Sequence, residues 1–216
     1  MRVPKVSNYK DDGSIKNIKL EKPLIIPKLP VITTEKQRDK LIKTIEKYIR
    51  GSLEYKDLIK FLKDKLDMSE CAFFHNTNNK SKKVSIEIHH EPFSLYDLVS
   101  IVMAKHESLH ENVNELEIAE EVMYLHYSGK VGLIPLSTTV HELVHVSKIM
   151  IPLDCVYGNF VKFVQEYYEW IDPIMRDMLM DKIDLTKKLD RKESLSILNV
   201  RYVYIDVDGY RLPEII

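Results

Sequence analysis

In "STTVHELVH", residues 137–145, His141 and His145 stand four apart, and Glu142 directly follows the first. On a helix, positions i and i+4 share a face, so both imidazoles can hold one cation. A second pair, His89-His90, closes "VSIEIHH", which reads as a β-strand. Adjacent strand residues point to opposite faces, so the pair cannot simply enter one core together. One of them can face a cation while its neighbour faces a substrate across the same cleft. A cation held only by imidazoles keeps its full positive charge, which suits a phosphate and a departing alkoxide.

Two chemistries fit these residues. His141-Glu142-Leu143-Val144-His145 is the HExxH pattern of zinc metallopeptidases. There Glu142 is the general base, and Glu166 or Glu169 in "FVKFVQEYYEWI" supplies the third ligand. That reading leaves His89-His90 without a role. Alternatively, "IEIHHEPF" followed by "GLIPLSTTVHELVH" resembles the ββα-metal finger of HNH endonucleases, over His89 to His145, about a quarter of the chain. The resemblance implies His89, His141 and His145 as metal ligands and His90 as the general base. It also implies one divalent ion, with histidine ligation suiting Zn, Ni, Co or Mn better than Mg. The implied reaction is cleavage or nicking of DNA, leaving 5′-phosphate and 3′-hydroxyl ends. A bacteriophage or mobile-element origin follows from the same likeness.

The match departs from the family in two places. The family's middle asparagine falls at Gly132, and the segment from Glu91 to Lys130 is a long, helical insertion. Gly132 keeps a third reading open, a metal finger that binds DNA without turnover. Other histidines read as structural: His106 and His110 as a solvated helix face, His75 and His126 as ordinary structural residues. Phe160, Phe163, Val164 and Tyr167 have the spacing of a helix core.

The elements that must position these side chains can be traced along the chain. Residues 1–32, with four prolines, read as an extended basic arm, available to DNA, a second copy or a phage or host protein. Residues 33–68 read as a helical hairpin: a Thr34–Gln37 capping box opens one helix, Gly51 ends it, and Leu53, Leu58, Ile59, Leu62 and Leu66 stripe the next. Residues 69–150 form the HNH-like core, with "CAFFHN", "VSIEIHH" and "VGLIPL" as strands, the helical insertion 91–130 between the last two, and Ser137 or Thr138 capping the HELVH helix. Residues 151–216 hold helices near 156–171 and 173–189 and a β-hairpin across Asp208-Gly209. The expected class is α+β, a ββα-metal core embedded among helices.

Composition narrows the setting. The chain has 216 residues and a formal net charge of −1, yet residues 1–66 carry seventeen Lys/Arg against nine Asp/Glu, and the remainder is acidic. A basic segment on an acidic body confines phosphate contacts to a local surface. No apolar run approaches the ~18–20 residues of a membrane span. The only cysteines, Cys71 and Cys155, form no CxxC, so neither a disulfide framework nor a cysteine knuckle is expected. A reducing, cytoplasmic location is the expectation, in the host for a phage-encoded chain.

Overall fold

A computed structural model describes residues 28–30, 32–74 and 84–188. Seven α-helices and one two-stranded antiparallel sheet lie among them. The class is mixed α and β, predominantly helical.

Helix α1 spans Glu35–Gly51. The Thr34 hydroxyl accepts from the Gln37 amide (3.3 Å), and the Gln37 side chain accepts from the Thr34 amide (3.2 Å), closing the expected box. Leu41, Ile42, Ile45 and Ile49 are buried along one stripe, each burial favouring the fold by about 1.5–3 kcal/mol relative to exposure. Ser52 ends α1 and starts α2 (Leu53–Lys65): its amide donates to the Ile49 carbonyl (3.0 Å), and its hydroxyl accepts from the Tyr55 amide (3.1 Å). The expected pair of helices is thus formed. Of the N-terminal arm, Leu29 is described; its amide donates to the Val113 carbonyl at 3.0 Å.

The segment from Glu91 to Lys130 is largely helical, as its pattern suggests. Helix α3 (Leu95–Ser108) opens on a Ser94–Asp97 box, and α4 (Glu115–Tyr127) on an Asn114–Glu117 box. Both pack against α1 and each other, joining the main core. His106 does not lie on a solvated face. It is buried, with Nε2 2.6 Å from Glu121 and Nδ1 against Glu111. Its partners are carboxylates brought in by α4 and the turn before it, which the charged residues flanking it in sequence do not reveal.

Strand β1 (Ile86–His90) pairs antiparallel with β2 (Leu133–Ser137), with His89 opposite Ile134 and His90 opposite Leu133. Helix α5 (Thr138–His145) follows β2 without a break and contacts both strands. Ser137 occupies its N-cap but makes no side-chain capping bond. The described part of "CAFFHN", residues 71–74, is not a strand; the Ala72 amide makes a single bond to the Pro135 carbonyl (2.9 Å). After a short 3-10 turn at Leu153–Cys155 come α6 (Phe160–Tyr167), a second 3-10 turn at Tyr168–Trp170, and α7 (Pro173–Lys188). Phe160, Phe163, Val164 and Tyr167 are buried, as their spacing predicts. The hairpin expected across Asp208-Gly209 lies outside the described residues.

Gly132 has a steric cause. A Cβ there would sit 1.8 Å from the Glu91 carbonyl oxygen and 2.7 Å from Val156 Cγ1. The Glu91 amide donates to the Gly132 carbonyl at 3.0 Å, holding the two backbones at this approach. An asparagine has no room in this packing. Gly132→Ala is expected to cost about 1–3 kcal/mol or more through forced backbone displacement, measurable as a drop in the urea midpoint with unchanged slope.

Candidate metal centre

The alternation of β1 sorts its side chains. Ile86, Ile88 and His90 take the face buried against the helical layer, while Glu87 and His89 take the face towards α5. From α5, His141 and His145 project one turn apart. Their rings meet at 4.4 Å between centroids, with Nε2 to Nε2 at 3.1 Å. The His89 ring lies 5.0 Å from that of His141 and 5.4 Å from that of His145. One nitrogen from each of the three lies within 4.8 Å of the others, and among the described residues this is the one group of metal-ligating side chains so arranged. Burial is graded: His89 is buried, His141 half-buried and His145 exposed. The centre is therefore rooted in the sheet and open towards solvent at the helix.

Its electrostatics suit a cation. Glu87 lies 2.9 Å from His141 Nδ1, so that nitrogen carries the proton and Nε2 presents its lone pair. Burial and the neighbouring His89 lower the pKa of His141, keeping it neutral at physiological pH. Glu91 places Oε2 3.5 Å from His89 Nε2. Three imidazoles, with carboxylates beside two of them, form a donor set that fits a borderline divalent ion such as Zn, Ni or Mn.

His90 is not part of this group, contrary to the role expected of it. It is buried, parallel to the Tyr55 ring at 6.3 Å, with Nε2 2.9 Å from His126 Nε2. His126 donates from Nδ1 to the Val122 carbonyl (2.7 Å), so its Nε2 accepts and His90 Nε2 donates. Burial drives the pKa of His90 well down, and that of His126 to about 4. The same strand alternation that suggested two roles in one cleft puts His90 on the opposite side of the sheet. His126, expected to be a bland structural residue, is its fixed partner.

Glu166 and Glu169, the alternative third ligands, are not in the group either. Glu166 pairs with Lys130 at 2.5 Å, and Glu169 is exposed in the 3-10 turn after α6. The sequence reading missed Glu87 and Glu91. Each stands two residues from His89 on either side, and period-2 spacing on a strand was the available signal for Glu87.

The profile of the family described as bacteriophage G278-like virion protein matches residues 5–203. The chain belongs to that family. Its bacteriophage association is thereby established. No curated protein and no solved structure matches the chain. None of the described helices is long and apolar enough to cross a membrane.

Proposed function

We propose that this G278-like protein is a metal-dependent phosphodiesterase of the HNH type that cuts or nicks DNA, with β1, β2 and α5 acting as a ββα-metal unit. The observation that carries the reading is the convergence of His89, on a strand, with His141 and His145, on a helix 52 and 56 residues further along the sequence. A divalent ion held there would supply positive charge to a phosphate oxygen and to the leaving oxygen. Glu87 orients His141, and the sheet holds His89.

The proton acceptor in this reading is Glu142. Three carboxylates lie within three residues of a ligand histidine. Glu87 faces His141 and Glu91 is paired with Lys182, whereas the Glu142 side chain is exposed and has no partner among the described residues. His90 lies behind the sheet, and its lowered pKa makes it a poor base. Glu142 takes a proton from the attacking water; a base so placed contributes typically ~10²–10⁴-fold.

Glu142 beside two ligand histidines also favours a second reading, peptide hydrolysis with His89 as third ligand. Phosphodiester chemistry is supported over it by the arrangement of one ligand on β1, the antiparallel partner β2 and two ligands on the helix that follows it, and by the basic segment 1–66. Supercoiled plasmid incubated with Mn, Ni, Zn or Mg separates the two. We expect nicking by the wild type, none by His141→Ala, and a loss of about 100-fold or more in Glu142→Gln. Cleavage of casein without nicking would transfer the site to peptide hydrolysis. Absence of turnover on both substrates with metal bound would mark an inert metal finger.

A further inference from the structure

The geometry points to Lys182, on the C-terminal helix α7, as a positioning residue of the metal centre, acting through Glu91 on His89. This rests on the metal-binding reading above. Glu91 is 4% exposed, and its two oxygens are divided: Oε1 is ion-paired with Lys182 Nζ, and Oε2 faces His89 Nε2 at 3.5 Å. A buried carboxylate without a cation beside it would carry a large desolvation cost. Lys182 is that cation, and by pairing with one oxygen it fixes where the second oxygen points. That oxygen lies beside the His89 ring, as Glu87 lies beside His141, and limits how the ring can turn towards the cation.

The anchoring extends into the backbone. The Glu91 amide is tied to the Gly132 carbonyl, and α7 is tied to the 3-10 turn at Leu153–Cys155, where the Leu153 amide donates to Thr186 Oγ1 at 3.1 Å. Thr186 in turn donates to the Lys182 carbonyl at 2.7 Å. Helix α7, whose Lys182 stands 37 residues beyond the last ligand, is in this way built into the cation site.

The test is a calorimetric titration of Zn or Mn into the full-length wild type, Lys182→Met, Lys182→Arg, Glu91→Gln and the Lys182→Met/Glu91→Gln double variant. Urea unfolding with chelator present is run alongside. Loss of an outer-shell partner lowers metal affinity by about 10–100-fold. We expect a loss of that size in Lys182→Met and in Glu91→Gln, no further loss in the double variant, and recovery in Lys182→Arg. Glu91→Gln keeps its shape without the charge, so it remains informative if Lys182→Met fails to fold. Wild-type affinity in Glu91→Gln, or additive losses in the double variant, would overturn the coupling while leaving the metal centre intact. No binding by the wild type would remove the centre and this inference together.

Discussion

His145→Ala is expected to weaken Zn or Mn binding by more than the about 10–100-fold that loss of an outer-shell partner costs, while leaving the metal-free fold unchanged. His145 is the exposed member of the three, and the Val140 side of α5 carries the helix's packing. Surface substitutions of this kind stay within about 0.5 kcal/mol. A ligand that binds only the folded chain stabilises it by about 2.7 kcal/mol at a hundredfold excess over Kd. The wild type should therefore gain a clear rise in Tm with metal, and His145→Ala should gain little. An equal rise in both proteins would place the metal elsewhere.

The second large effect is acid destabilisation through the buried imidazole pair. His126 has an unfolded pKa of about 6.5 and a folded value of about 4. A depressed histidine favours the fold while neutral. Its contribution is complete above about pH 6.5, shrinks as pH falls, and is exhausted near pH 4. At 1.36 kcal/mol per unit, that is a loss of about 3 kcal/mol, and His90 shifts in the same direction. Urea unfolding with chelator at pH 7.5 and 4.5 measures it. His90→Phe/His126→Leu removes both partners of a buried bond together, which is close to neutral at high pH. This double variant should lose much less stability on acidification. An unchanged acid loss would assign the pH dependence to other groups.

Much of the site was legible in the sequence because periodicity alone determines it. Four-residue spacing put His141 and His145 on one helical face, and the "GLIPLSTTVHELVH" run gave strand followed by helix. The capping box at Thr34 placed the start of α1. What was not legible depended on contacts between distant segments. His90 could be assigned to a face only once α2 and α4 were known to cover that face. His126 and Tyr55, which hold it, come from α4 and α2. Lys182 meets Glu91 across 91 residues, and no local pattern announces such a pair. The clash that makes Gly132 necessary also arises from Glu91 and Val156, one on each side of it in sequence.

The most direct test of the metal centre is X-ray absorption at the zinc edge on the protein loaded with one equivalent of Zn. Three imidazole ligands at about 2.0–2.1 Å, falling to two in His89→Ala, is the result expected. A first shell with fewer imidazoles in the wild type, or one that His89→Ala leaves unchanged, would contradict it.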